Sequence, residues 1–211
     1  MGFFDLFSSE KKKGSLGEKE IGWELGIHSL LGKHGKVFKN LYVPAPGNKT
    51  SEIDLLFLCQ KGIFVIESKN VKGFVYGSEW QQNWTVLLFG GTKNLLYNPI
   101  KQNATHVKRL QTYLKELGFE AVPYQNVVIF SDQANLDNVT WMDSNTKVLQ
   151  VRGLSSYLNE IWKEREYMLT KEQVNELSKA LEPLTKASKT TKEDHVKWVN
   201  RVKEAEDPER E

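Results

Sequence analysis

The sequence predicts a mixed α/β domain in which a central sheet is flanked by helices. In the first half of the chain, short apolar runs alternate with turn residues, which is typical of strands. In the second half, apolar residues recur at helical spacing, first after Asn98-Pro99 and again after Thr170. A strand-rich half followed by alternating helices and strands indicates a mixed α/β fold.

The bulk properties fit one soluble domain, because the 211 residues are 39% hydrophobic and 27% charged. No apolar run approaches the roughly 20 residues that span a bilayer, and no secretory signal begins the chain, so we expect a cytoplasmic protein. The single cysteine, Cys59, excludes an internal disulfide framework and a Cys-rich zinc site, and we expect it to be a buried apolar residue. A net charge of +2 does not by itself indicate nucleic-acid binding.

Three segments are expected: an N-terminal arm at 1–14, a domain at 15–184 and a charged helical or flexible tail at 185–211. The arm combines aromatic residues with a lysine run. It either contacts a membrane surface or a partner, or packs on its own domain, and the second alternative is favoured. The tail is rich in lysine and glutamate and holds too little apolar surface to order itself.

The first half of the domain is predicted to begin with a helix at 16–33. Ser15 is its expected N-cap and Glu18 the capping-box partner. Strands are then predicted at 37–43, 52–58, 63–69, 73–77 and 84–89. The turn at 59–62 would fold the second strand back against the third.

The second half is predicted to hold three helices and two strands. The first helix follows Asn98-Pro99 and ends near Gly118, since proline suits a first turn and glycine a C-terminal cap. The last helix has Thr170 as its N-cap and Gln173 as the capping-box partner. The predicted helices are 100–117, 154–162 and 170–184, and the predicted strands are 126–130 and 148–151.

Glu67 and Lys69 end an apolar strand two positions apart, so their side chains should share one face of the sheet. The hairpin would bring Asp54 close to both. Two carboxylates and a lysine suit metal-assisted phosphodiester hydrolysis, because Mg²⁺ prefers oxygen ligands and keeps several waters. The alternative is a cross-strand ion pair at a solvated sheet edge, worth at most about 1 kcal/mol, and the residue types alone favour this alternative.

Several short motifs follow one another along the chain, and their order is more specific than any single motif. They are Leu16-Gly17-Glu18, Glu52-Ile53-Asp54, the run from Gly62 to Asn70 with Gly73 after it, Trp84, and Asn98-Pro99-Ile100-Lys101-Gln102 leading to His106. This order of helix Glu, strand Asp, strand Glu-x-Lys and helix Gln resembles the PD-(D/E)xK nuclease superfamily, and more closely the nuclease-related domain (NERD) family. The resemblance is strong over 16–117 and looser over 127–158.

The resemblance implies a restriction-endonuclease-like core with a C-terminal helical extension. It implies that Asp54, Glu67 and Glu18 bind Mg²⁺ or Mn²⁺ and that Lys69 assists the water or the transition state. Gln102 would be the polar residue that the helix after the sheet adds to this catalytic set. Three alternatives stay open: Glu18 as a capping residue only, Glu20 or Glu24 in place of Glu18, and Gln102 as an exposed helical amide.

The expected function is therefore a metal-dependent nuclease acting on DNA or, less favoured, on RNA. The alternative is a non-catalytic module that binds nucleic acid or a protein. The cations expected near phosphates are Lys72, Lys101, Lys108 and Arg109. The aromatic residues that could stack on unpaired bases are Trp80, Trp84 and Tyr97, although core packing or exposed anchoring is favoured for each. His106 either hydrogen-bonds a site residue or lies on a helix face, and the second role is favoured.

Overall fold

The computed structural model describes residues 35–47 and 49–186. The predicted N-terminal arm, the predicted first helix with Glu18, and the predicted tail from residue 187 onward lie outside the described residues.

Two mixed sheets form the framework of the described part. The first has the order β1-β2-β3-β7-β9 and the second the order β6-β5-β4-β8. In the first sheet β1, β2 and β3 are antiparallel, whereas β3, β7 and β9 are parallel. The strands are β1 Gly35–Ala45, β2 Lys49–Cys59, β3 Gly62–Lys69, β4 Gly73–Ser78, β5 Asn83–Leu87, β6 Lys93–Tyr97, β7 Tyr124–Phe130, β8 Ala134–Thr140 and β9 Thr146–Gln150.

Helices cover both faces of the first sheet, which confirms the predicted α/β class. The α-helices of residues 35–186 are α1 Pro99–Glu116, α2 Leu154–Glu164 and α3 Lys171–Leu181, with short 3-10 helices at Val151–Gly153 and Glu182–Lys186. Residues of α2 pack against one face of the sheet, and residues of α1 and α3 pack against the other. None of these helices is both long and apolar enough to cross a membrane. The predicted capping box of Thr170 and Gln173 is formed.

β3 lies in the middle of the first sheet, between β2 and β7. Its apolar residues are buried on both faces, as its continuous apolar run predicts. The β2–β3 turn is tight because Gly62 has φ +122°, a conformation that side chains rarely tolerate. The alternative that placed Glu67 and Lys69 on a solvated sheet edge is therefore wrong.

The start of α1 is tied to the loop between β4 and β5. The Oδ1 atom of Asn98 accepts hydrogen bonds from the backbone N–H groups of Ile100 and Lys101, so Asn98 is the N-cap. Its Nδ2 atom donates to three carbonyl oxygens of the loop, those of Ser78, Glu79 and Gln81. Asn98 has no solvent exposure, so this one side chain joins the helix rigidly to the loop.

A second buried amide pair fixes α1 over β3 and β7. Asn103 Nδ2 donates to the carbonyl of Val65 at 2.8 Å and to Asn126 Oδ1 at 2.7 Å. Asn126 Nδ2 in turn donates to the carbonyl of Ile100 at 3.0 Å. Buried amides are costly unless bonded, so these contacts define the position of α1 above the sheet. The neighbouring residue Gln102 is thereby held above β3.

The second sheet packs on the first through Trp84, which is fully buried and stacks on Phe130 with 6.2 Å between ring centroids. Gly77 makes room for the indole, because a Cβ at that position would lie 2.2 Å from Trp84 Cγ. Trp84 is therefore a core residue and offers no surface for stacking on bases. The sequence patterns did not predict two strands of this sheet, β6 and β8.

Candidate active site

An interruption in the pairing of β1 with β2 sets Asp54 apart from the regular ladder. The paired residues on either side keep their register, but Asn40 and Asp54 are skipped. Asn40 has φ +51°, a left-handed conformation that asparagine adopts more readily than most residues. Ile53 and Leu56 then face the same apolar cluster, although regular alternation would put residues three apart on opposite faces.

Asp54 and Glu67 each lie one residue beyond the end of the β2–β3 ladder. The β2–β3 ladder ends at the pair Leu55 and Ile66, so continuing its register sets Asp54 opposite Glu67. Directly opposite residues of neighbouring strands point to the same face. Beyond the ladder, the backbone N–H of Ser68 donates to Asp54 Oδ2 at 2.9 Å. The hairpin therefore brings the backbone positions of Asp54 and Glu67 together, and a metal ion shared by their carboxylates stays a prediction.

Glu67, Lys69 and Gln102 form a connected group of side chains from β3 and α1. Glu67 is only 2% exposed. Lys69 Nζ lies 2.6 Å from Glu67 Oε1 and 3.1 Å from Gln102 Oε1. The predicted sharing of one strand face by Glu67 and Lys69 is confirmed. The alternative of Gln102 as a merely exposed amide is wrong for this structure, because the amide oxygen accepts from the lysine.

His106 also belongs to this group, although sequence reasoning favoured a role on the helix face. Its Nδ1 atom lies 2.6 Å from Ser51 Oγ, and its Nε2 atom lies 3.5 Å from Glu67 Oε2. If Nε2 carries the proton toward Glu67, the Ser51 hydroxyl donates to Nδ1. His106 follows Gln102 by one helical turn, so the sequence spacing itself indicates that the two side chains share one face of the helix. Ser51 had no signal in the sequence.

The charge of this group favours an ionised Glu67. Burial by itself raises the pKa of Glu67, but the nearby charge of Lys69, with a further contribution from His106, outweighs burial and holds the pKa below its ordinary value. A carboxylate that is buried and still ionised is uncommon outside metal sites, ion pairs and catalytic sites.

The donor set fits a cation that takes few protein ligands. Glu67 Oε2 is buried, makes no close hydrogen bond and lies 3.5 Å from His106 Nε2; because a carboxylate oxygen can only accept, it is able to receive a cation. Within residues 35–47 and 49–186, no three His, Cys, Asp or Glu residues form a cluster able to hold a metal. Mg²⁺ needs only one or two carboxylates, since it keeps several waters. Asp54 and Glu67 are the two candidate carboxylates among the described residues, and Glu18 lies outside the described residues.

The residues expected to contact substrate are spread around the group. Lys101 Nζ donates to the carbonyl of Trp80 at 2.7 Å, so this lysine holds the β4–β5 loop. Trp80 is 75% exposed and Tyr97 is 40% exposed, so both rings remain accessible. Lys72 is exposed beyond the end of β3.

The family comparison covers the part of the chain that holds Asp54, Glu67, Lys69, Gln102 and His106. The model of the nuclease-related domain (NERD) matches residues 13–131, more than half of the chain. An uncharacterised protein of Bacillus anthracis is 26% identical over 190 residues, which cover 90% of this chain and 85% of that protein. No solved structure matches the chain. From the family match, the chain belongs to the nuclease-related domain family.

Proposed function

We propose that the protein is a divalent-metal-dependent nuclease that hydrolyses phosphodiester bonds of DNA, with RNA as the less favoured substrate. One observation carries the proposal: the carboxylate of Glu67 is buried on a central strand and bonded to Lys69, and Asp54 accepts a hydrogen bond from the backbone of the same strand at Ser68. Burying an ion pair stabilises a fold little, since desolvation offsets the attraction between the charges. A chemical role accounts for such a group better than stability does, and membership of a nuclease-related family supports this.

In this proposal Asp54 and Glu67 hold Mg²⁺ or Mn²⁺, and Glu18 is the proposed third carboxylate. When bound, the ion supplies charge relief on the phosphoryl oxygens and lowers the pKa of a bound water. Lys69, held by Gln102, orients the attacking water or stabilises the negative charge of the transition state.

His106 is proposed to act as a positioning residue. Its Nδ1 atom is held by Ser51, and its Nε2 atom faces Glu67 Oε2. This contact restricts the rotamer of Glu67 and keeps the carboxylate aligned on the same face as Asp54. Partners of this kind orient ligands without touching the substrate.

Cleavage assays on single-stranded, duplex and branched DNA with Mg²⁺ or Mn²⁺ test the proposal. We expect Asp54→Asn and Lys69→Ala to remove metal-dependent cleavage while circular dichroism stays native. Glu52→Gln is the matched control, because Glu52 lies on the same strand but accepts a hydrogen bond from Tyr42. Absence of cleavage by the wild-type protein on every substrate, or full activity of Asp54→Asn, would falsify the proposal.

The second candidate is a non-catalytic module that binds nucleic acid or a protein on a nuclease-like fold. Two observations favour it: the described residues hold no three-ligand cluster, and Lys69 already neutralises Glu67. It predicts binding without cleavage and no heat of Mn²⁺ binding in calorimetry. The nuclease proposal predicts Mn²⁺ binding that Asp54→Asn weakens, so calorimetry separates the two candidates.

The segment boundaries at 1–14, 15–184 and 185–211 remain proposals, as does location in the cytoplasm. Contact of the arm with a membrane surface is the less favoured proposal. It predicts that deleting residues 1–14 abolishes sedimentation with vesicles containing anionic lipid. Unchanged sedimentation after the deletion would rule out this role for the arm.

A further inference from the structure

A cleft of about 600 Å³ opens where the carboxyl ends of β3, β7 and β9 meet the second sheet. It is separate from the group around Glu67, although it begins close to the end of the same strand. We call it the Phe74 cleft and define it by the aromatic, cationic and amide side chains of its lining. These are Lys72, Phe74, Phe89, Gln133, Asn135 and Arg152.

Two exposed aromatic rings form one wall of the Phe74 cleft. Phe74 is 39% exposed and Phe89 is 71% exposed, and their ring centroids lie 5.9 Å apart at an interplanar angle of 78°. Phe74 points away from the core, since its neighbour Val75 is fully buried on the opposite face of β4. Tyr76 continues the exposed face two residues further on, so the sheet presents flat rings to solvent.

Two cations and several amides complete the lining. Lys72 and Arg152 are exposed, and neither makes an ion pair with any residue of the described ranges. Gln150 Oε1 accepts from Arg152 Nη2 at 2.7 Å, which orients the guanidinium. One acid, Asp132, also lines the cleft and accepts a hydrogen bond from the backbone of Arg152 at 2.9 Å. Two cations against one carboxylate leave the lining positive.

The chain connects the cleft directly to the proposed active site. Lys72 follows Lys69 by three residues, so their Cα atoms lie within about 11 Å of each other. The carbonyl of Lys69 accepts from the backbone N–H of Ser131 at 3.0 Å, and the next residue, Asp132, lines the cleft. One strand of duplex DNA rises about 3.4 Å per nucleotide and an extended single strand rises more, so this distance corresponds to at most about three nucleotides.

We propose that the Phe74 cleft binds a single nucleic-acid strand beside the phosphate that the active site attacks. The inference rests on the proposed nuclease function, because that function supplies the kind of ligand. Flat rings beside cations suit unpaired bases and their phosphates, and the side-chain amides of Gln133 and Asn135 suit base edges. In a duplex the faces of the bases are stacked on each other and unavailable to Phe74 and Phe89.

The test is fluorescence anisotropy of a labelled oligothymidine of about 12 nucleotides, a length typical of single-strand sites, in EDTA so that cleavage cannot occur. We expect Phe74→Ala combined with Phe89→Ala to weaken binding about 10-fold or more, the effect of losing a ring that stacks on a base. Lys72→Ala should lower the dependence of log affinity on log salt by about one. Tyr167→Ala is the control, because Tyr167 is 66% exposed and contacts Lys61 at the opposite end of β3.

The outcomes separate this inference from the proposed function. Weaker oligothymidine binding by the double variant, with wild-type affinity in Tyr167→Ala, supports the cleft whether or not the protein cleaves DNA. If the wild-type protein cleaves DNA but the double variant binds oligothymidine as tightly, the cleft is overturned and the nuclease stands. If the wild-type protein binds no oligothymidine, the cleft is overturned as a nucleic-acid site. If size exclusion shows a dimer that the double variant disrupts, the cleft is overturned in favour of a protein interface.

Discussion

Removing the lysine from the pair of Lys69 and Glu67 should cost far more stability than removing a surface lysine. In Lys69→Met, Glu67 keeps its 3% side-chain exposure but loses the ammonium 2.6 Å from Oε1. Breaking a buried pair by removing one partner costs about 3–5 kcal/mol, because a charge is left buried without compensation. We expect about 3 kcal/mol at pH 7, near the lower bound of that range, because the Lys69 side chain is 17% exposed.

The loss should depend on pH in a defined direction. The pKa of Glu67 is below its ordinary value of about 4.5 in the wild-type protein, so the pair stabilises the fold above that pH and the effect is lost as the pH falls through the lowered pKa. Without Lys69, the largest influence that lowers the pKa of Glu67 is lost, so this pKa rises above its wild-type value. The stability deficit of Lys69→Met is therefore largest at neutral pH and shrinks as the pH falls and Glu67 becomes protonated.

Urea denaturation followed by tryptophan fluorescence at neutral and acidic pH measures these effects. Adding Glu67→Gln to Lys69→Met should recover much of the lost stability, because no buried charge remains. Lys186→Met is the control, since Lys186 and Glu182 are 3.8 Å apart and 73% and 62% exposed. That pair should contribute no more than about 1 kcal/mol. Equal stability losses in Lys69→Met and Lys186→Met would refute the reasoning.

Three further outcomes are expected. His106→Ala should lower kcat about 10-fold with little change in KM, as expected for a residue that positions a ligand; unchanged kcat in cleavage assays would exclude that role. Gly77→Ala should destabilise by about 1–3 kcal/mol, because its Cβ would meet Trp84, whereas Gly90→Ala, which has open space, should change thermal unfolding little. Burial raises the pKa of Cys59 to about 12, so iodoacetamide at pH 8 should label it only after unfolding by urea; equal rates in the folded protein would contradict its burial.

The β2–β3 hairpin could be predicted from sequence because its signals are local. Apolar runs on each side of a short turn indicate paired strands, and the spacing of Glu67 and Lys69 fixes their shared face. Continuing the β2–β3 register then sets the backbone of Asp54 opposite Glu67. The helix after Asn98 was equally predictable, since a capping asparagine and a proline mark its first turn.

The features that were missed depend on contacts between distant segments. β8 is a polar strand that is stabilised by parallel pairing with β4. Its sequence therefore lacks the alternation of apolar and polar residues that predicts a strand. His106 reaches Glu67 only because α1 docks over β3, a position fixed by the buried amides of Asn103 and Asn126. For Trp84 the sequence favoured core packing or exposed anchoring without deciding between them, because the space for its indole comes from Gly77, seven residues away.

The hydrogen bonds of the Asn98 side chain make the fluorescence of Trp80 a potential reporter of ligand binding. Asn98 and Lys101 hydrogen-bond the backbone of the β4–β5 loop. These bonds restrict the movement of the loop, and hence of the exposed indole of Trp80, relative to the first turn of α1. The next residue on that turn is Gln102, the partner of Lys69. Trp80 is therefore an intrinsic fluorophore whose backbone is bonded to Lys101, the residue next to Gln102. Its emission should change when a ligand binds at the candidate site, without any added label.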